Sequence, residues 1–248
     1  MKLHDISTTP PDKVNKEDIK ELTQELLEQI KKHQRIMYAQ NKYSLLIILQ
    51  GMDAAGKDGA VKDIFTGINP LGCRVFSFKA PTALEKEHDF LWRIHQVMPE
   101  RGMIHIFNRS HYEDILVPAV ENLFDKEIIE RRYQHINNFE QLLQDNNTIV
   151  LKFYLHISNE EQKQRLEERL QNPYKFRKHN DGDRDSRKKW DEYITIYQNI
   201  FEKCNTIPRH IIPGDKNRRK VYQIAQIVVE HFEKLDLEWP KLETEKFD

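Results

Sequence analysis

The chain has 248 residues, 38% hydrophobic and 32% charged, enough to bury one sizeable core and short for two full domains. A formal net charge of -1 makes the whole molecule a poor match for nucleic acid, so any polyanion site must come from local clustering. The two cysteines, Cys73 and Cys204, lie far apart and lack metal-ligand spacing, which excludes a disulfide framework and a zinc site; with no leader-like or membrane-spanning apolar segment, a cytoplasmic protein with no membrane partner is expected.

Residues 1–14, with Pro10-Pro11, predict a flexible N-terminus, and 15–248 a single domain. Asn15 can cap an amphipathic helix in which Ile19, Leu22, Leu26, Ile30 and Met37 recur at helical spacing. That helix could serve dimerisation or simply cover its own sheet. Tyr43–Gln50 is an apolar run suited to a strand buried on both faces of a parallel sheet. Further apolar runs at Arg74–Phe78, Met103–Phe107, Ile149–Ile157 and His210–Ile212 alternate with helical patterns near 84–97, 126–145, 158–171, 186–203 and 217–234. Such alternation predicts an α/β fold with a parallel sheet. The polar stretch Asn172–Asp185 predicts a mobile loop between two helices.

Directly after the first strand, Gly51-Met52-Asp53-Ala54-Ala55-Gly56-Lys57-Asp58-Gly59 fits G-x-x-x-x-G-K, with Asp where Ser or Thr is usual. Glycines there let the backbone wrap phosphate oxygens, the opening helix directs N–H groups at the anion, and Lys57 adds a cation. Asp53 and Asp58 are the unusual feature. Two like charges about 4 Å apart repel by roughly 4 kcal/mol at an effective dielectric near 20, so acids facing phosphate imply a bridging cation, and Mg²⁺ is expected on both. Asp53 could also orient the proton of an attacking group, or merely cap the loop.

The third apolar run ends in Asn108-Arg109-Ser110-His111-Tyr112-Glu113-Asp114, a polar cluster at the strand edge where α/β proteins bind ligands. The planar fork of Arg109 suits a phosphate contact. Asn108 stands where many P-loop enzymes have a magnesium-binding Asp, which leaves the loop acids, Glu113 or Asp114 to supply charge. Between Lys163 and Lys189, ten lysines and arginines oppose five acids, so this stretch carries +5 and the remainder -6. With a phosphate loop present, that points to a lid over phosphates, at about 165–190, that excludes water during transfer. Trp190, Tyr193, Tyr197 and Phe201 at helical spacing are read as core. Lys216, Arg218, Arg219 and Lys220 either extend the phosphate field or form a solvated helix start.

These residues together resemble the family-2 polyphosphate kinases: the loop Gly51–Gly59, the segment Phe107–Asp114, and Lys188-Lys189-Trp190-Asp191-Glu192-Tyr193, within a likeness running from about Tyr43 to Phe232. The resemblance implies a P-loop kinase-like three-layer α/β/α sandwich with a helical lid. It also implies Mg²⁺-dependent, reversible transfer between polyphosphate and nucleotides, AMP and ADP going to ADP and ATP, with GDP as a further acceptor. In that frame Asp53, Lys57 and Arg109 are catalytic, and polyphosphate lies against Gly51, Ala54, Ala55, Gly56, Lys57, Asp58, Gly59, Arg109, Arg169, Lys175 and Lys178. Asn108, Glu113 and Arg187 are assigned to the nucleotide, and a homodimer or larger homo-oligomer is expected. The form of Asn108–Asp114 is similar to the class III branch, which accepts nucleoside mono- and diphosphates. An ATP-dependent nucleoside or nucleotide kinase remains the alternative function, and a phosphate-binding module without turnover the alternative outside enzymes.

Overall fold

The computed structural model describes residues 2–10, 15–178 and 182–242. Five strands form one all-parallel sheet in the order β2-β3-β1-β4-β5: β1 Ser44–Gln50, β2 Cys73–Ser77, β3 Ile104–Asn108, β4 Thr148–His156 and β5 Arg209–Pro213. Every residue of β1 is buried, as an unbroken Leu/Ile run in a central strand requires. Leu45, Ile47 and Leu49 face a layer made by α1 (Lys16–Gln40), α2 (Lys57–Phe65) and α10 (Asn217–Glu233). Leu46 and Ile48 face the opposite layer, built from α5 (Glu113–Val120), α6 (Lys126–Asp145) and α9 (Trp190–Lys203). Three layers result, and the period-2 alternation of β1 assigns each side chain to one of them. Because β1 sits between β3 and β4, the chain crosses to opposite sides of it, and that crevice opens at the carboxyl ends of these strands. Among the described residues no helix is long and apolar enough to cross a membrane.

Three expectations need correction. Residues 2–10 are packed: Leu3 is 1% exposed and its N–H donates to Gln198 Oε1 at 2.9 Å, while Thr8 Oγ1 donates to Asp215 Oδ2 at 2.6 Å. Leu3 and Ile6 supply apolar anchors that a reading based on Pro10-Pro11 overlooked; residues 11–14 lie outside the described residues. The helix expected near 84–97 is two single turns, α3 Ala83–Lys86 and α4 Trp92–His95. A capping box at Thr82 starts the first, and Asp89 interrupts it by accepting the N–H of Leu91 at 2.9 Å, a local turn that competes with helix. The stretch Asn172–Asp185 is largely helical, with a 3-10 helix at Pro173–Lys178, capped by Asn172 Oδ1 on the N–H of Tyr174 at 3.0 Å, and α8 at Gly182–Lys188. Residues 179–181 lie outside the described residues. α7 (Asn159–Gln171) leads into this segment and α9 leaves it. Tyr197 is buried against Tyr154, which places the aromatic stripe of α9 in the core as expected.

Candidate active site

Gly51 leaves β1 at φ +151°, and a Cβ there would lie 2.8 Å from Leu155 O, so the turn off the strand admits only glycine. Ala54 at φ +62° and Gly56 at φ +89° take left-handed conformations that wrap the loop before α2 begins. Gly59, by contrast, sits in the first turn of α2 with open space around it, so packing does not require a glycine there. Lys57 is buried at the start of α2, and its Nζ donates to Gly51 O at 2.6 Å and Met52 O at 3.2 Å. Burial, and next the Arg109 guanidinium, lower its pKa to about 8, against the pull of Asp53, Glu113 and Asp58.

The end of β3 completes this group. Asn108 Nδ2 donates to Asp58 Oδ1 at 2.7 Å, joining the second strand end to the acid after the loop lysine. Arg109 adopts φ +65°, a strained backbone for an arginine, and its N–H donates to Leu49 O at 3.0 Å. That turn brings its guanidinium 2.6 Å from Asp53 Oδ1 and 3.9 Å from Glu113 Oε2. Burial raises the Glu113 carboxyl while Arg109 and Lys57 oppose the shift. Sequence position had therefore brought together Asp53, Lys57, Asp58, Asn108, Arg109 and Glu113, and the fold places all six around one point. Asp114 does not join them: buried Arg93 holds its Oδ2 at 2.8 Å, in the wall beside the site.

Beneath the β3 end lies a buried polar network absent from the sequence reading. Glu140 of α6 accepts from Lys152 Nζ of β4 at 2.6 Å and from Tyr112 OH at 2.6 Å, and contacts His111 Nε2 at 3.3 Å. The ion pair and His111 hold the Glu140 carboxyl below its usual range although burial pushes it up, and burial lowers Lys152. Ser110 Oγ accepts from Gln50 Nε2 at 3.0 Å, pinning the β3 turn to the last residue of β1.

The lid cations are deployed less uniformly than their charge count suggests. Arg165 on α7 donates to Ala54 O and Ala55 O, both at 3.1 Å, and to Gly214 O at 2.8 Å. Lys175 pairs with Glu168 at 2.6 Å, and Arg187 donates to Asn159 O at 3.0 Å and Asn159 Oδ1 at 2.6 Å. Arg169 is half-buried in the last turn of α7, and the side chain of Lys178 lies outside the described residues. Lys220, for which a phosphate contact and a solvated helix start are equally open in sequence, is instead buried, with Nζ 3.1 Å from Ala55 O. Arg165, Gln162 and Lys220 were thus missed as loop contacts; a cation in the first turn of a helix that packs apolar on the sheet was the available clue.

A strand, phosphate loop and helix at the switch point of a parallel sheet, with Arg109 and two loop acids opposite, define a kinase of the P-loop type. The family model for polyphosphate kinase 2 (PPK2) matches residues 13–239. The chain is 45% identical over 217 residues to an AMP/ADP-polyphosphate phosphotransferase of Meiothermus ruber, covering 87% of this chain and 81% of that protein. It is 38% identical over 242 residues to an ADP-polyphosphate phosphotransferase of Rhodopseudomonas palustris, covering 92% and 83%. The crystal structure of polyphosphate kinase 2 from Arthrobacter aurescens TC1 superposes with a TM-score of 0.95 at 36% identity, covering 98% of this chain and 89% of that one. The protein belongs to the polyphosphate kinase 2 family and is a kinase-type phosphotransferase.

Proposed function

We propose that this enzyme transfers phosphoryl groups reversibly between polyphosphate and the nucleotides AMP and ADP, with Mg²⁺ held by Asp53 and Asp58. The observation that carries the reading is the convergence of Asp53, Asp58, Arg109 and Glu113 on Lys57 within a phosphate loop. Two carboxylates on one loop suit Mg²⁺, which takes one or two such ligands and completes its shell with water and substrate phosphate oxygens. When bound, the metal supplies neutralisation of charge on the phosphoryl oxygens. Lys57 and the loop N–H groups hold the phosphate chain, and the Arg109 fork binds two oxygens of the transferring group. Asp53, oriented by Arg109, faces the acceptor, and the lid at about 165–190 excludes water. Glu113, Asn108 and Arg187 border the nucleotide side, and Arg169, Lys175 and Lys178 the polyphosphate. The names of the similar proteins support AMP and ADP as acceptors. GDP as a further acceptor, a homo-oligomer and a cytoplasmic setting belong to the same reading.

The test is an assay of purified protein with long-chain polyphosphate and AMP, ADP or GDP, with Mg²⁺ present or removed by chelation. Formation of nucleoside di- and triphosphates only with the metal supports the reading. Activity with ATP as donor and none with polyphosphate would turn it into an ordinary nucleotide kinase.

A further inference from the structure

The loop Gly51–Gly59 has two faces, and the second is organised as deliberately as the first. On the side away from β3, the carbonyls of four consecutive residues meet donors from two helices. Gln162 Nε2 of α7 donates to Asp53 O at 3.1 Å. One guanidinium nitrogen of Arg165 donates to both Ala54 O and Ala55 O at 3.1 Å, while the other anchors to Gly214 O at 2.8 Å and Asp215 O at 3.4 Å. Lys220 of α10 reaches Ala55 O at 3.1 Å and Gly56 O at 3.5 Å, itself fixed by Asn217 Oδ1 at 2.9 Å. Gln162 and Lys220 are at most 1% exposed. Burying a lysine among carbonyls is costly unless its hydrogens are placed, and here they are placed on the loop.

A trans peptide is planar, so the N–H of residue i+1 points opposite to the C=O of residue i. Carbonyls drawn outward at Asp53, Ala55 and Gly56 therefore turn the N–H groups of Ala54, Gly56 and Lys57 inward, toward the phosphate. The N–H of Ala55 is the exception and closes a turn on Met52 O at 3.1 Å. Gly56 and Lys57 thus present consecutive inward N–H groups, an anion nest joined by that of Ala54, whose worth depends on the peptides not rotating. Ala54 at φ +62° holds a left-handed conformation that costs an alanine, and Gly56 at φ +89° is one of several that a glycine adopts freely, so neither is fixed by its own backbone preference. We propose that Arg165, Lys220 and Gln162 are positioning residues that clamp the phosphate loop by its carbonyls and so aim its N–H groups at the polyphosphate. Arg165 stands in the stretch whose charge points to a phosphate lid, and Lys220 in one for which phosphate contact is one of two readings; the clamp gives both cations a role behind the loop.

This rests on the loop being the polyphosphate grip, and the experiment separates the two. Affinity for long-chain polyphosphate is measured by calorimetry over a range of KCl concentrations for the wild type, Lys57→Ala, Arg165→Met and Lys220→Met, with steady-state KM values for polyphosphate and ADP. A cation touching a polyanion contributes about 0.7–0.9 to the slope of log affinity against log salt, by counterion release. Lys57→Ala should lower both affinity and slope; if it changes neither, the loop is not the grip. Arg165→Met and Lys220→Met should weaken polyphosphate at least tenfold, raise its KM and leave the KM for ADP within twofold, with the salt slope unchanged. A slope reduced as in Lys57→Ala would make them direct phosphate contacts and overturn the clamp, as would unchanged affinity. Lys220→Gln, which keeps a donor and no charge, should recover most of the affinity; if it stays as weak as Lys220→Met, hydrogen bonding is not the role. Should Lys220→Met fail to fold, Lys220→Gln and Arg165→Lys carry the same titrations, each within threefold of wild type with the slope intact if the clamp holds.

Discussion

Two adjacent strand ends build this site, and they are supported by different means. In the proposed function the loop after β1 works through its backbone, and what braces it is a set of donors on its carbonyls, from Gln162, Arg165 and Lys220. The turn after β3, in the same proposal, works through side chains, Arg109 and Glu113, and what braces it is a buried side-chain network: Ser110 on Gln50, Tyr112 and His111 on Glu140, and Glu140 on Lys152. In each case the support grips whatever must not move. A peptide plane is fixed by its carbonyl, whereas a side chain is fixed by locking the residues that flank it. The difference also concerns charge. The Glu140–Lys152 pair stands in the core and depends on both ions, while a carbonyl needs only a donor.

The largest effect should come from halving that ion pair. Lys152→Met leaves Glu140 buried without its cation and should cost about 3–5 kcal/mol of stability in denaturant unfolding. Lys152→Met with Glu140→Leu should cost under half as much, because no uncompensated charge remains. Equal losses in the two variants would show that the network braces by packing alone, and the contrast with the carbonyl clamp would go. Next comes the point where the two strand ends meet, Asp53 under Arg109 at 2.6 Å. Asp53→Asn keeps the shape and removes the charge, and turnover should fall at least a hundredfold, about 2.7 kcal/mol of transition-state stabilisation. Near wild-type kcat would remove Asp53 from the chemistry.

Most of the geometry of the first strand end was legible in sequence because it is local: Gly51, Gly56 and Lys57 have fixed spacing, and the Leu/Ile run before them makes a buried strand. The β3 cluster was legible as a site, since seven polar residues end an apolar run, but its division of labour was not. Asp114 and Glu113 are neighbours of the same type, and only the burial of Arg93 sends the first into the wall. The supports were least legible. Lys152 lies inside an apolar strand and Glu140 inside an amphipathic helix, twelve residues apart. Arg165 and Lys220 look like any solvated cation until the fold brings α7 and α10 behind the loop. The break in 84–97 was hidden for a related reason, since helical periodicity survives an Asp89 turn that reverts to helix within five residues.

A smaller perturbation tests the clamp from the side of the loop. Gly56→Ala would put a Cβ 2.5 Å from Lys220 Nζ at a φ of +89°. The left-handed backbone costs about 1–2 kcal/mol for an alanine, and the displaced amine adds to it. Polyphosphate affinity should fall in step with stability. Gly59→Ala, with open space around its Cβ and helical backbone, should instead stabilise α2 by about 0.5–1 kcal/mol. A Gly56→Ala loss, read by thermal melting, no larger than the left-handed backbone alone costs would mean that the loop has room behind it and no clamp.

The finest distinction concerns the charge of Lys220. Burial first, then Arg165 of α7, lowers its pKa to about 7; Lys57 of α2 acts in the same direction, while Asp63 of α2 and Glu161 of α7 oppose. A lysine depressed from 10.5 to about 7 binds fewer protons folded than unfolded between those values. Its contribution to unfolding free energy therefore rises with pH across that window, by at most about 1.4 kcal/mol per unit, and is least favourable below pH 7. Comparing wild type with Lys220→Met cancels the other groups to first order: the difference in unfolding free energy should shift toward wild type as pH rises from about 7 to 9. A flat difference would mean that the amine keeps its proton throughout. If the shift is seen, polyphosphate affinity should weaken only partly over the same range, because a neutral amine carries two hydrogens for three acceptors, Ala55 O, Gly56 O and Asn217 Oδ1, and can give up the longest, Gly56 O at 3.5 Å, while keeping Ala55 O at 3.1 Å. The Glu140–Lys152 pair has no such latitude: both lysines have three acceptors, but one of those of Lys152 is the buried Glu140 carboxylate, beside Tyr112 OH and Cys204 O, so losing its proton would also leave a buried charge unbalanced.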